Sequence, residues 1–338
     1  MKVVAITGER ECALVDRPDP QIRDNYVLVK ILAAPMCTEV GDYRAGRTSD
    51  ALGHEAAGEV VAVARPGRVQ VGDRVVVMPQ NGCGECDLCL SGEHVHCQTP
   101  RDPYGVCGCA TGRATFAELC VQQDWLLYPV PDDVPMDHAA MACCGLGPTF
   151  NAMQMMGVSA PDTVLVSGLG AVGLGAVVNA RLRGARVLGL ETNGWRADLA
   201  KRLGAEAVVD PASGDAAAQI LDLTEGRGAD KSVEASSSES APGLLVRATR
   251  IKGEITTVGW SGPVQARDVT AKGLTFRGAW HWNHLRDGRA MRETLRRAGP
   301  LLDTLITHRF PMSQVKDAWE TQLSGRCGKV ILHPGDVP

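Results

Sequence analysis

From Thr163 to Trp280, short apolar runs alternate with amphipathic stretches, and few folds accommodate that pattern. TVLVSG is followed by GAVGLGAVVNARLRG and RVLGLE by WRADLAKRLG; AEAVVD, ADKSVEAS, EITTVGW and LTFRGAW come next, with further helical segments among them. Strand, helix, strand at this spacing predicts βαβ units, because consecutive parallel strands need a crossover to return the chain. Six such strands predict an α/β fold with a doubly wound parallel sheet. The preceding residues read differently. VLVKILAA at 27–34, GEVVAV at 58–63, RVVVMP at 74–79 and AELCV at 117–121 are short runs broken by turn residues, the pattern of a mainly antiparallel β domain. After 281 the chain returns to RETLRRAGPLLDTL, VKDAWETQLSG and KVILHP, a tail too short to stand alone. We therefore expect two domains, 146–280 and a second built from 1–145 with 281–338.

Gly168-Leu169-Gly170-Ala171-Val172-Gly173 follows TVLVS directly and opens a helix. In that context the first glycine permits a tight turn, the second lets backbone approach a pyrophosphate, and the third lets helix pack close on strand. Free amides at the helix start favour the negative charge. Glu191 ends the next strand, 21 residues after Gly170, where a carboxylate accepts both ribose hydroxyls and repels a 2′-phosphate. The expected cofactor is NAD, held by Gly168, Gly170, Ala171, Val172, Gly173 and Glu191, with Arg196 the nearby cation that would instead admit NADP.

A net charge of −4 offers no positive field for nucleic acid or an anionic membrane. No apolar stretch approaches the roughly 18 residues that span a bilayer, and charged residues interrupt MKVVAITGERECALV before a signal-peptide core can build. We expect a cytoplasmic protein with a small-molecule partner, in which 12 cysteines point to metal rather than disulfides. Cys83, Cys86, Cys89 and Cys97 lie in one 15-residue loop. Four thiolates close a tetrahedral zinc sphere and leave no position for substrate, so this is expected to be a structural site; an iron–sulfur cluster is the rival that soft thiolates alone do not distinguish. His94 and His96 read as bystanders in that loop, and Cys12, Cys107, Cys109, Cys120 and Cys327 as buried thiols.

Cys37 in PMCTEVGDY, His54 in LGHEAAGEV and Cys144 in MACCGLGPTF come from three separated turns. Two thiolates and an imidazole would leave zinc an open fourth position, as catalysis needs, although spacing alone does not separate this grouping from ordinary core residues. Gly53-His54-Glu55-x2-Gly58-x-Val60, Gly72-Asp73-Arg74-Val75, the four-cysteine loop and Gly168-x-Gly170-x2-Gly173 follow one another in order. On these motifs the chain resembles the medium-chain, zinc-dependent alcohol and polyol dehydrogenase family over essentially its whole length. The resemblance implies a GroES-like catalytic domain beside the dinucleotide-binding domain, and a catalytic zinc on Cys37, His54 and Cys144, with Cys143 as the register rival. It further implies Glu55 as a carboxylate near the metal, Lys329 as a late basic residue near the pyrophosphate, Arg196 near the adenosine ribose, and a homodimer or homotetramer.

The chain also departs from that family. Where a serine or threonine usually begins the proton relay, two residues after the first ligand cysteine, stands Glu39; where a histidine often follows stands Asp42, and the hydroxyl of Thr38 sits one residue after Cys37. Glu39 is the first relay candidate by position, with Thr38, Asp42 and Tyr43 behind it. The expected activity is hydride transfer between a secondary alcohol and NAD, with zinc polarising the alcohol or ketone oxygen. The run Trp280, His281, Trp282, Asn283 and His284 suggests a hydroxylated polyol, sugar or cyclitol substrate, and Tyr104 and Trp125 are further candidates to line its site. Two other functions compete: a zinc-independent NAD(P)H reductase of the same architecture, in which Cys37, His54 and Cys144 would not converge, and a non-catalytic nucleotide-binding protein.

Overall fold

In the computed structural model, six parallel strands lie in the order Ala207–Val209, Arg186–Leu190, Thr163–Ser167, Ala229–Glu234, Thr249–Thr257, Thr275–Gly278. Residues 1–335 are described, and they divide into two units: 1–145 with 283–299 and the chain from 306 onward, and 146–282 with 300–305. In the second unit the register runs Val164 to Val187, Leu165 to Ser232 and Val233 to Thr256. Val164, Leu165 and Val166 have no exposed surface, which is why this strand is continuously apolar rather than alternating: helices cover both faces of a parallel sheet. Those helices start where the side chains say they should. Asn193 accepts from the amide of Arg196 at the head of Gly194–Leu203, and Asp215 from those of Ala217 and Ala218 at the head of Ala216–Leu223. Strand order reverses between Thr163–Ser167 and Ala229–Glu234, the switch point at which a doubly wound sheet leaves a crevice for ligand.

The first unit is built on a seven-strand sheet in the order Ile306–Pro311, Lys329–His333, Tyr26–Pro35, Ala56–Val63, Arg74–Val77, Leu127–Pro129, with Leu119–Gln123 also paired to Tyr26–Pro35. Only the Ile306–Pro311 and Lys329–His333 pair is parallel. At Gly58 a Cβ would collide with the carbonyl of Lys30 on the neighbouring strand, so the glycine is required by close approach. The core packs Val29, Val60, Val75, Phe116 and Trp319, with Tyr43 stacked on Trp319 at 4.6 Å. A hairpin of Lys2–Gly8 and Glu11–Asp16 went unread in the sequence. Its turn uses Arg10 at φ 54°, a conformation usually marked by glycine or asparagine, so no turn residue flagged it.

Candidate active site

Three turns of the first unit bring four donors together. Cys37 follows strand Tyr26–Pro35, His54 and Glu55 immediately precede Ala56–Val63, and Cys144 follows helix Met136–Ala140. One ligand atom from each of Cys37, His54, Glu55 and Cys144 lies within 4.8 Å of all the others. Gly53, at φ +81°, sets up the turn before His54; a side chain there would strike Phe116 and Thr115. Cys143 points elsewhere, with its Sγ 3.3 Å from the Val77 carbonyl oxygen, and it is Cys144 whose sulfur joins the donor group.

His54 Nδ1 is 2.7 Å from Glu39 Oε1, while Nε2 faces Cys144 Sγ at 3.3 Å. Donating Nδ1–H to a carboxylate leaves the Nε2 lone pair free for a metal. Glu55 has no exposed surface; its Oε1 accepts from Lys329 Nζ at 2.6 Å and its Oε2 from the Cys144 amide at 3.0 Å. Burial pushes Glu55 up to about 7 against the opposing charge of Lys329. The hydrogen bond from Cys144 holds the Cys37 thiol well below its ordinary value, helped by Lys329 and His54, and the same bond raises Cys144. His54 is lifted to about 10: burial opposes this, but Cys37 and Glu39 overcome it. Two sulfurs and an imidazole, one sulfur already inclined to be a thiolate, form a donor set that fits zinc, whose binding would displace the shared protons. A reductase lacking this zinc requires that Cys37, His54 and Cys144 stay apart, and the structure brings them together.

The other sequence candidates divide. Thr38, Glu39 and Asp42 share with His54, Asn81 and Arg113 a cavity of about 400 Å³. Asp42, however, is paired with Arg47, and Tyr43 is fully buried with its hydroxyl 2.9 Å from both the Arg10 carbonyl oxygen and Glu320, outside the site. Lys329, expected beside a pyrophosphate, has its ammonium wholly buried on Glu55, and a group with no exposed surface is not free to meet a phosphate. The aromatic run after Thr275–Gly278 does not act as one cluster. Trp280 stands edge-on to Trp260 and Trp282 edge-on to Phe150, while Asn283 donates to the Ser91 carbonyl and His284 Nε2 lies 2.7 Å from that of Trp125. Tyr104 is largely exposed, and Trp125 lies against Gly84 in the cysteine loop. Asn81 and Arg113 went unread, since each is an isolated polar residue with no spacing to mark it.

The four loop cysteines close on a common point, with Cys83 to Cys89 and Cys86 to Cys97 both 3.9 Å apart at sulfur. A single tetrahedral ion with Zn–S bonds of about 2.3 Å has edges of roughly 3.8 Å, so the spacing suits one zinc. Backbone amides of Glu85 and Cys86 point at Cys83 Sγ; against the burial that would raise it, these and Thr99 bring Cys83 down to about 6. His94 and His96 stay outside the donor group. His94 is buried and stacks on His284, ring centroids 5.1 Å apart. Burial, the leading cause, pushes His284 down to about 4. Because the folded value lies below the unfolded one, the unfolded chain takes up the proton first. Stability is fully present above about pH 6.5 and is lost as pH falls toward 4, by about 2.5 kcal/mol at pH 4.5. His284→Gln should remove that part of the loss in urea titrations at pH 7.5 and 4.5; an undiminished loss would place the acid sensitivity elsewhere.

In the second unit, Gly168 takes φ +81° at the end of Thr163–Ser167, and a Cβ on Gly173 would run into the Gly168 carbonyl. Gly170 stands just before helix Ala171–Leu182, with Ala171 and Val172 opening it. Glu191 accepts from the Leu169 amide at 2.7 Å and from those of Thr192 and Asn193 at 2.9 Å. It lines a cavity of about 270 Å³ with Gly168, Pro211, Ser236, Ser238 and Leu244. Arg196, in the first turn of Gly194–Leu203, keeps a buried Nε without a hydrogen-bond partner. The serine-rich SSSES after the fourth strand was the overlooked signal for the far wall of this cavity.

Residues 23–132 match the alcohol dehydrogenase GroES-like domain, and residues 171–298 the zinc-binding dehydrogenase domain. An L-threonine 3-dehydrogenase of Symbiobacterium thermophilum is 32% identical over 95% of this chain and 94% of its own length. The chain belongs to the medium-chain zinc-dependent alcohol dehydrogenase family. A D-arabitol-phosphate dehydrogenase of Enterococcus avium is 28% identical over 96% of the chain and 94% of its own length. The alcohol dehydrogenase TADH from Thermus sp. ATN1 shares the fold, with a TM-score of 0.87 at 22% identity over 99% of this chain and 100% of its own. As an NAD-dependent zinc alcohol dehydrogenase, this protein uses the family's zinc and NAD and acts on a small-molecule alcohol. No helix among the described residues is long and apolar enough to cross a membrane.

Proposed function

We propose that this dehydrogenase oxidises a secondary alcohol of polyol, sugar or cyclitol type, with Cys37, His54 and Cys144 holding the catalytic zinc and Cys83, Cys86, Cys89 and Cys97 a structural one. The observation that carries the substrate reading is the polar cavity in which Thr38, Glu39 and Asn81 lie beside His54: a wall of hydrogen-bonding groups suits a hydroxylated molecule better than an alkyl chain. When bound, the zinc would supply a Lewis acid that favours the alkoxide during oxidation and polarises the carbonyl in the reverse direction. The chain's own residues do the rest. Glu39 Oε1 holds His54 in the tautomer that presents Nε2, and Glu39, which lines the cavity and keeps Oε2 without a partner, is the base that takes the hydroxyl proton. Glu55, anchored by Lys329 and the Cys144 amide, fixes the loop that carries Cys144. Residues 146–280 serve as the nucleotide-binding domain, with the Gly168–Gly173 turn toward the pyrophosphate and Glu191 toward the ribose; residues 1–145 and 281–338 serve as the catalytic domain. A homo-oligomeric, cytoplasmic enzyme completes this reading, supported by family membership alone.

The test is a panel of polyols, sugars, cyclitols and simple alkanols given to zinc-replete enzyme with NAD, following absorbance of the reduced nicotinamide. Turnover confined to unsubstituted alkanols would reject the substrate class. Glu39→Gln keeps an oxygen for His54 but removes the base. It should retain two zinc ions while kcat falls by roughly 10²- to 10⁴-fold, and an unchanged kcat would move the proton acceptor elsewhere.

A further inference from the structure

We infer that the alcohol carries an anionic group, a carboxylate or a phosphate, and that Arg113 is the side chain that selects it. The inference rests on the dehydrogenase reading above and sharpens its substrate. Arg113 lies on the segment between helix Pro103–Cys107 and strand Leu119–Gln123 and lines the same cavity as His54 and Glu39. Among the described residues its guanidinium has no ion pair, and its buried Nη1 has no hydrogen-bond partner. Several other arginines of the same unit are engaged: Arg101 on Glu85, Arg74 on the carbonyls of Pro131 and Val134, Arg309 on Asp137. Asp102 lies on the same cavity wall and acts on Arg113 through its charge, but it caps the helix that follows it, accepting from the Tyr104 amide at 3.0 Å, and forms no salt bridge with the guanidinium.

A half-buried guanidinium without a partner is costly, and it cannot escape the cost by losing its proton. Its fork of donors matches a carboxylate or phosphate in two parallel hydrogen bonds. Two other residues of the cavity wall keep buried polar atoms without partners: Asn81 Oδ1 and Glu39 Oε2. Arg113 lines this space with three carboxylates, Glu39, Asp42 and Asp102. Asp42 is held by Arg47 and Asp102 by the Tyr104 amide, which leaves Glu39 and Asn81 to meet hydroxyls and Arg113 to meet the charged group. The cavity, about 400 Å³, has room for such a molecule.

The test pairs each anionic alcohol with an uncharged counterpart, sn-glycerol 3-phosphate with glycerol and 3-hydroxybutyrate with 2-butanol, in zinc-loaded wild type, Arg113→Gln and Arg113→Lys. The expected wild-type result is a higher kcat/KM for the anionic member. In Arg113→Gln the ratio of anionic to neutral kcat/KM should fall roughly 10- to 100-fold, mainly through KM. Arg113→Lys, which keeps the charge but not the fork, should recover part of it and covers the case in which the glutamine variant folds poorly. The phosphate and carboxylate pairs show which anion is meant. Calorimetric titration of sn-glycerol 3-phosphate into the zinc-loaded protein without NAD gives a second readout, with binding in wild type and its loss in Arg113→Gln. Equal preference in wild type, with the ratio unmoved by either substitution, overturns the role of Arg113 and leaves the dehydrogenase reading intact. Arg113-dependent binding without oxidation of any secondary alcohol overturns the secondary-alcohol reading and keeps the anion site.

Discussion

Cys144→Ser lowers the zinc content from two ions per chain to one and reduces kcat/KM by about 10³-fold or more, the rate equivalent of losing several kcal/mol of charge stabilisation. The expectation follows from the convergence of Cys37, His54, Glu55 and Cys144 within 4.8 Å and from the separate closure of the four loop cysteines. Only the first site loses a donor in this variant, so the remaining ion should be the structural one. The neighbouring residue provides the control. Cys143 directs its sulfur at the Val77 carbonyl oxygen, and Cys143→Ser should keep both ions. Metal analysis of the two variants beside wild type decides the matter. Two ions retained in Cys144→Ser, or one lost in Cys143→Ser, would overturn the ligand register.

Lys329→Met destabilises the protein by about 3–5 kcal/mol, the cost of leaving one member of a buried ion pair without its partner. Lys329 and Glu55 have no exposed surface and meet at 2.6 Å. Removing the ammonium strands a carboxylate that burial already pushes up to about 7. The pair is not an argument for high stability in itself, because desolvating two ions offsets most of their attraction. The double variant Lys329→Met with Glu55→Gln should accordingly recover most of the loss. Thermal unfolding of the zinc-loaded proteins reads this directly. A drop on the order of 10 °C is expected for the single variant, from 2–4 °C per kcal/mol in a domain of this size. A single variant melting within a degree of wild type, or a double variant no better than the single, would show that the pair is solvated in solution.

Much of the fold was legible along the chain because its determinants are local. Each of the six parallel strands overlaps an apolar run between helical segments, although the fifth starts at Thr249, five residues before EITTVGW, and the Gly168–Gly173 turn sits where strand gives way to helix. The N-terminal hairpin was missed because its turn rests on Arg10 in a left-handed conformation instead of a residue suited to it. The cysteine loop was readable for a similar reason: its four sulfurs belong to one short segment, and their 3.9 Å spacings come from local folding.

The roles around the open metal site divide differently. Cys37, His54 and Cys144 were nameable through resemblance, but no spacing rule says that Cys144 rather than Cys143 turns inward, that Glu39 reaches His54 Nδ1, or that Lys329 ends on Glu55. Those contacts join residues 15, 90 and 274 positions apart. They are decided by strand pairing and burial, which set where distant turns meet and which polar groups must find partners once water is excluded. Residue type and local order thus determined the two βα and β architectures, the closed cysteine site and the nucleotide turn. Only the tertiary structure decided which of Cys143 and Cys144 turns toward His54, the partner of each buried charge and the unpaired guanidinium of Arg113, because a side chain's chemistry depends on neighbours that the linear order does not reveal.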